Sequence, residues 1–158
     1  MATGVDDTIP VGSKSRLELP QFPGEDFLAH AGTQWLEQAE ARLASAGLLA
    51  VAEGDDPPSC KSLTDTDLSA LPMLAVTHPG YDRRLETRMK IEAHNRSNAE
   101  KRRQITFEAW TQLYTALKVC TEKTAPATSR HMMELCDLRN DGVKGGYFDG
   151  PLAWRILL

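Results

Sequence analysis

Apolar and polar positions alternate with the period of an α-helix in the first third of the chain. The apolar face holds Leu28, Trp35, Leu36, Ala39, Leu43 and Ala46. Glu25 and Asp26 lie at the start of this stripe, where the positive end of a helix dipole favours negative charge. Gly47 follows the stripe, where glycine commonly ends a helix. The pattern predicts a helix that begins after Pro23-Gly24 and ends at Gly47.

A second helical window runs from Tyr81 to Pro126 without an interior proline or glycine. Its later part carries an apolar stripe of Ile105, Ala109, Leu113, Ala116, Leu117 and Cys120. This stripe predicts the central core helix. Between Glu92 and Gln104 the sequence is almost wholly polar. Such a stretch is either one long helix that crosses solvent or a joint between two helices, and we expect a break near Asn95.

Two shorter helices are predicted in the last part of the chain. Thr128 or Ser129 is expected to cap the first of them. Its apolar residues are Met132, Met133, Leu135 and Cys136. The second begins at Asp149-Gly150-Pro151, because proline fits the first turn of a helix. The glycine-rich loop between the two helices is expected to tuck Tyr147 and Phe148 into the core.

The sequence predicts an all-α fold, since no segment shows the alternation of a strand. We expect a compact domain of about five to six helices behind a flexible N-terminal leader. The leader is residues 1–20, and residues 21–158 form a single helical domain. Because the chain stops among apolar residues at 156–158, we expect this domain to be truncated at its C-terminus. The expected core anchors are Trp35, Leu36, Leu43, Trp110, Leu113 and Leu117.

The N-terminus and the cysteines favour an intracellular protein. The first residues lack the basic and apolar regions of a secretory signal, and no run approaches the roughly 18 apolar residues of a membrane helix. Cys60, Cys120 and Cys136 are an odd set without a C-x-x-C pair, which argues for reduced thiols. We expect a cytoplasmic location, with the nucleus as the alternative, no secretion and no membrane partner.

Charge is distributed unevenly along the chain. Residues 1–82 hold 4 basic and 13 acidic side chains, a balance of −9, and residues 83–103 hold 8 basic and 3 acidic ones, a balance of +5. Residues 104–158 hold 6 of each. The contrast predicts either a polarised surface or an electrostatic match between the acidic and basic parts.

The basic segment is the strongest polar signal in the sequence. Its members are Arg83, Arg84, Arg88, Lys90, Arg96, Lys101, Arg102 and Arg103. Such a segment either contacts RNA phosphates or a protein partner, or forms a solvated helix face. The second interpretation is supported by Glu86, Glu92 and Glu100, which lie at helical spacing from the basic residues.

Residues with catalytic or metal-binding potential do not form a recognisable motif. Four histidines are spread along the chain, at His30, His78, His94 and His131. Zinc sites need ligands at short paired spacing, so this distribution predicts none. Cys60 falls in a turn-rich connector, and the chain has neither a G-x-S-x-G elbow nor a Walker loop. We expect no enzyme activity, cofactor or small-molecule substrate.

One pattern near the N-terminus resembles a known family. It consists of Leu19-Pro20-Gln21-Phe22-Pro23-Gly24, then Phe27, Trp35, Leu36, Leu43, Gly47, Leu48 and Val51. It is similar to the N-terminal Gag region of copia-type LTR retrotransposons, where an L-P-x-F-x-G lead precedes a tryptophan helix and a G-L-x-x-V exit. Phe22 and Trp35 are further apart than in that family, and the family's zinc knuckle is absent.

The resemblance implies a non-enzymatic, helical, capsid-like module that self-associates and packages RNA. The basic segment would then be the RNA contact. The alternative is a helical adaptor of unrelated origin, which would bind another protein through an exposed Met132-Met133 helix or through the loop of Tyr147 and Phe148. A third interpretation, a small enzyme whose site converges only in space, would require a closed polar pocket.

Overall fold

The computed structural model of the chain describes residues 17–24 and 30–158. Its α-helices in this part are α1 (His30–Ser45), α2 (Leu49–Ala52), α3 (Tyr81–Thr121), α4 (Pro126–Cys136) and α5 (Gly150–Leu157). Short 3₁₀ helices occupy Pro58–Ser62, Leu68–Ala70 and Leu138–Asp141. The strand-like feature of the described residues is an isolated bridge between Asp137 and Phe148. The predicted all-α fold is confirmed.

The end of α1 follows from its glycine. Gly47 has a φ of +74°, a backbone conformation that residues with a Cβ rarely adopt. This conformation lets the N–H of Leu48 donate to the carbonyl of Leu43 at 2.8 Å, which satisfies a terminal carbonyl of α1. The acidic first turn expected at Glu25 and Asp26 lies outside the described residues, as does the leader as far as residue 16.

The chain divides into two compact units. The core unit contains the described residues up to Pro57 together with Phe107–Leu158, and the strap unit is Pro58–Thr106. Helix α3 therefore begins in the strap unit and ends in the core unit. We name residues 58–80, which precede α3, the strap.

The core unit holds the large buried apolar side chains. Its described core includes Phe22, Trp35, Leu43, Val51, Leu113, Leu117, Met132, Cys136, Trp154 and Leu157. Four of the expected anchors therefore lie in this core, namely Trp35, Leu43, Leu113 and Leu117. Leu36 and Trp110 are only partly buried and pack against its edge.

The lead of the Gag-like pattern packs onto the core unit beside Trp35. The ring of Phe22 meets that of Trp35 edge-on, with 5.0 Å between the ring centroids. The indole Nε1 of Trp35 donates to the carbonyl of Pro20 at 2.7 Å, and the N–H of Phe22 donates to the carbonyl of Cys120 at 2.9 Å. These contacts fix the extended lead against the helices, although it has no regular secondary structure of its own.

The expected break near Asn95 is wrong. Helix α3 is continuous over 41 residues, or about 60 Å at a rise of 1.5 Å per residue. Its polar stretch does not interrupt the helix because Asn95 and Asn98 project onto the strap instead of competing for the helix backbone. Within the described residues, no helix has both the length and the apolar composition that crossing a membrane requires.

The last two helices begin in different ways. Helix α4 starts with Pro126 after Ala125, which makes no side-chain capping bond, so the expected cap at Thr128 or Ser129 is wrong. Proline replaces a cap there because it removes one unsatisfied N–H and pre-sets the helical φ. Helix α5 begins as predicted, since the carboxylate of Asp149 accepts from the N–H of Leu152 at 3.0 Å.

Candidate interaction surface

The polar face of α3 in the strap unit binds the backbone of the strap. Five side chains of α3 donate hydrogen bonds to strap carbonyls: Arg84, Arg88, Asn95, Asn98 and Arg102. We call this set the ladder. Positions further along α3 contact positions earlier in the strap, so the two segments run antiparallel. The strap is therefore held through its backbone over about five turns of α3.

Asn95 makes the central contact of the ladder. Its Nδ2 donates to the carbonyl of Thr66 at 3.0 Å, and its Oδ1 accepts from the N–H of the same residue at 2.9 Å. One turn later, Asn98 Nδ2 donates to the carbonyl of Thr64 at 3.1 Å and lies 3.2 Å from Nε2 of His94. A primary amide matches a backbone peptide because it offers a donor and an acceptor side by side.

Arginines bind the strap on both sides of the segment that Asn95 and Asn98 hold. At one end, Arg84 Nη1 donates to the carbonyl of Pro72 at 2.6 Å, and Arg88 donates to the carbonyls of Leu68 and Leu71. At the other end, Arg102 donates to the carbonyl of Leu63. Hydrogen bonds from charged donors are generally the stronger ones. The arginines thus clamp the two ends of the segment that Asn95 and Asn98 hold in the middle.

One ion pair joins the acidic part of the sequence to the basic part within the strap unit. Arg102 Nη2 lies 3.2 Å from the carboxylate of Asp65. Cys60 lies close to the same arginine, with its Sγ 3.7 Å from the carbonyl of Arg102 and 3.8 Å from Oγ1 of Thr106. Cys60 lies in the 3₁₀ helix Pro58–Ser62 of the predicted connector, and its side chain is buried. The ion pair of Asp65 with Arg102 is a local contact between the acidic strap and the basic part of α3.

The ladder residues share one face of α3 because of their spacing. They follow one another at intervals of 4, 7, 3 and 4 residues, and at about 100° per residue this keeps them within one narrow stripe. Ile91 falls on the same stripe. The pattern is that of a coiled-coil seam in which amide and guanidinium groups replace most of the apolar residues.

The other basic residues lie on two further flanks of α3. Arg83, Lys90 and Lys101 fall on one line along the helix, within about 20° of each other at 100° per residue. Arg96 and Arg103 fall on a second flank, well away from the first. Lys90 pairs with Glu86 at 3.1 Å and Arg103 with Glu100 at 3.8 Å, both at helical spacing and both exposed.

The structure therefore does not bring the eight residues of the basic segment together. Arg84, Arg88 and Arg102 bind the strap and are partly buried, whereas Arg83, Lys90, Arg96, Lys101 and Arg103 remain exposed. A guanidinium that already donates to a buried or half-buried carbonyl is less available to a phosphate. A nucleic acid would meet the five exposed residues from two different sides of the helix.

Three ionisable side chains of the core unit, Cys120, Cys136 and Tyr114, are buried in its apolar core. Burial raises the pKa of the Cys120 and Cys136 thiols to about 12. Burial also raises the pKa of Tyr114 to about 12, and electrostatic interactions with Cys136, Asp137 and Glu122 act in the same direction. A thiol with so high a pKa stays protonated near neutral pH and is a poor nucleophile. Both cysteines are small core residues, as the sequence predicts.

The surfaces suggested for an adaptor are largely used within the core unit. Met132 is fully buried, so the expected exposed Met132-Met133 pair is wrong and only Met133 reaches solvent. Phe148 stacks on Tyr114 with 4.3 Å between ring centroids, and Tyr147 lies 5.3 Å from Phe107. Phe148 therefore packs against the core as predicted, although it is only half-buried, whereas Tyr147 is half-buried and does not belong to the core cluster.

Two further observations bear on catalysis. In the part of the chain that the structure describes, no group of three or more His, Cys, Asp or Glu side chains could hold a metal ion. The core unit carries a shallow, open depression lined by Ala127, Thr128, His131 and Ile156.

Replacing Asn95 tests whether the ladder holds the strap. We expect Asn95→Ala to destabilise the strap unit by about 1–2 kcal/mol, because two hydrogen bonds are lost and the Thr66 carbonyl and N–H are left to water. The measurement is limited proteolysis, in which strap peptide bonds near residues 63–72 should be cleaved faster. Arg96→Ala is the matched control, since Arg96 lies on another face of the same helix. Equal cleavage rates in the two variants would contradict the ladder.

The sequence reasoning missed Asn95 and Asn98 as contact residues. Their signal was the regular 3- and 4-residue spacing that they share with Arg84, Arg88 and Arg102. A search for apolar periodicity overlooks it because the stripe is polar.

Comparison of the chain with protein-family models, curated proteins and solved structures found no match.

Proposed function

We propose that this chain is a non-enzymatic structural module that associates with further copies of itself, as its Gag-like pattern implies. The observation that carries the proposal is the balance of exposed and buried side chains in the strap unit. Met73, Val76 and Met89 are 42%, 76% and 59% exposed, respectively, whereas the buried side chains of this unit are Cys60 and Asn98. Large exposed apolar side chains on a small unit favour a further protein surface over water.

The strap covers only one face of α3 between residues 81 and 106. The ladder residues occupy that face, and the remaining faces of the helix carry exposed side chains over about seven turns. A helix that is polar or solvated on most sides gains little stability from its own chain. Association with a second copy would supply the packing that the strap unit lacks.

Light scattering coupled to size exclusion, at several protein concentrations, tests this proposal. The expected result is a mass that grows with concentration. The double variant Met73→Ser with Val76→Ser should weaken association by roughly 10–100-fold, since two apolar side chains lose their burial. Met133→Ser with Leu135→Ser is the matched control, because both residues are comparably exposed but belong to α4. A constant monomer mass at every concentration would refute the proposal.

RNA is the second partner that we propose, through the flank of Arg83, Lys90 and Lys101. The alignment of these exposed charges along α3 supports it, since a single line of cations can follow a phosphate backbone. Neutralising all three to Gln should lower RNA affinity and reduce the slope of log affinity against log salt by roughly 2, at about 0.7 per lost charge.

The control for RNA binding is the other basic flank. Arg96→Gln with Arg103→Gln removes two positive charges from the same helix and should leave the salt slope almost unchanged. Fluorescence anisotropy of a labelled single-stranded RNA, measured between low and physiological salt, gives both slopes. If the two sets of variants lose affinity equally, RNA does not bind preferentially to the flank of Arg83, Lys90 and Lys101. If neither loses affinity, the flank is a solvated face.

A further inference from the structure

In each of the two units, contacts join a residue before the turn at 73–80 to a residue after it. In the strap unit, the ladder joins the strap up to Pro72 to α3 from Arg84 onward. In the core unit, the ring of Trp35 faces that of Trp154 at 6.1 Å, and Phe22 bonds to Cys120. The chain therefore consists of two interlocking segments, residues 17–72 and 81–158, that are connected through one turn.

The turn itself is weakly attached. Its hydrogen bonds are local, from His78 N–H to the carbonyl of Ala75 at 2.9 Å and from Gly80 N–H to Nδ1 of His78 at 2.9 Å. Pro72 precedes the turn and Pro79 lies near its end, and residues that precede proline prefer extended backbone. Opening of the turn into an extended link thus breaks few contacts.

We propose that two copies of this chain associate by exchanging these segments across the opened turn. In the exchanged pair, residues 17–72 of one copy pack with residues 81–158 of the other, and the ladder and core contacts that join the two segments are re-formed between chains. Exchange of identical elements is a low-cost route to a dimer because the native contacts are kept. This inference rests on the proposed self-association and names the surface that produces it.

Exposed apolar side chains in the turn give the exchange a driving force. Met73 and Val76 face solvent in the single chain, although both belong to the apolar run Met73-Leu74-Ala75-Val76. In an exchanged pair the two opened turns run side by side, so these side chains meet their counterparts. This contact is the one new interface that exchange creates, and it buries the apolar surface that the turn leaves exposed.

Chemical cross-linking between differently labelled copies tests the exchange. One chain carries Thr66→Cys and the other Ala99→Cys, an exposed position one helical turn from Asn95, whose side chain binds the backbone of Thr66. The two chains are mixed, unfolded and refolded together at high concentration, then treated with a short bis-maleimide. The native cysteines are buried after refolding. A chain with both substitutions, refolded at low concentration, is the control for the intrachain link.

The expected result is an interchain link between residues 66 and 99 in the dimer fraction. Deleting residues 75–78 should increase this product, because the shortened turn cannot close, and inserting a flexible Gly-Ser segment after Val76 should cause its loss. Dimers that carry no interchain link would overturn the exchange while leaving self-association intact. A monomer at all concentrations, including for the deletion variant, would overturn both the exchange and the proposed function.

Discussion

Trp35→Ala is expected to lower the free energy of unfolding by about 3–5 kcal/mol, the range typical of a large aromatic residue removed from a core. Trp35 is 3% exposed and lies between the rings of Phe22 and Trp154. Its loss leaves a cavity and removes the hydrogen bond that fixes Pro20. Equilibrium unfolding in urea, followed by circular dichroism, gives the change in free energy.

Trp35→Phe separates the packing of this side chain from its hydrogen bond. The phenyl ring keeps most of the contact with Phe22 but cannot donate to Pro20, so the expected loss is about half that of Trp35→Ala or less. If Trp35→Ala changed the free energy of unfolding by less than 1 kcal/mol, the lead and α5 would not be held together through this residue.

Gly150→Ala is expected to destabilise the core unit by about 3 kcal/mol, at the upper end of the usual range for overpacking. A Cβ added to Gly150 would lie 2.3 Å from the carbonyl oxygen of Trp110 and 2.9 Å from Cβ of Leu113. Neither atom is the end of a flexible side chain, so α3 and α5 would have to move apart. Thermal unfolding should show a marked decrease in Tm.

Gly80→Ala is the matched control for Gly150. An added Cβ at Gly80 would lie 3.4–3.5 Å from His78 and Leu74, which is ordinary contact. Its effect on the free energy of unfolding should therefore remain below about 1 kcal/mol. Similar effects of the two substitutions would show that α5 does not approach α3 as closely as the structure has it.

The elements that the sequence predicted well are those with an apolar stripe or a special backbone residue. The periodicity around Trp35 and Leu43 located α1, and Gly47 ended it, because only glycine readily adopts the required φ. Pro151 marked the start of α5 for a similar reason. In these cases the signal lies in the residue type itself and does not depend on a distant partner.

The continuity of α3 could not be predicted from the same signals. Its polar stretch resembles a solvated joint as long as no partner for Asn95 and Asn98 is known. That partner is the backbone of the strap, which carries no side-chain signature in the sequence. Charge counts predicted either a polarised surface or a match between the acidic and basic parts. The ion pair of Asp65 with Arg102 joins the two parts at one point, but a count cannot show which residues pair.

The basic segment also could not be interpreted from the sequence alone, because the roles of its residues depend on their contacts with the strap. As a sequence, residues 83–103 are one basic segment. As a structure, Arg84, Arg88 and Arg102 stabilise the fold, and the remaining basic residues are divided between two flanks. The structural and partner-binding roles of neighbouring arginines are therefore separable by mutation, since variants of the ladder should affect stability and variants of the flank of Arg83 should affect RNA binding.

The central claim is that the strap is bound by the ladder, because the proposed exchange and the division of the basic segment both depend on it. Amide hydrogen exchange at Thr66 tests it directly, since the partner of this N–H is the side chain of Asn95. We predict exchange at Thr66 at least about tenfold slower than in an unstructured peptide, loss of this protection in Asn95→Ala, and its retention in Arg96→Ala. Exchange of the Thr66 amide at the unprotected rate in the unaltered chain would contradict the account.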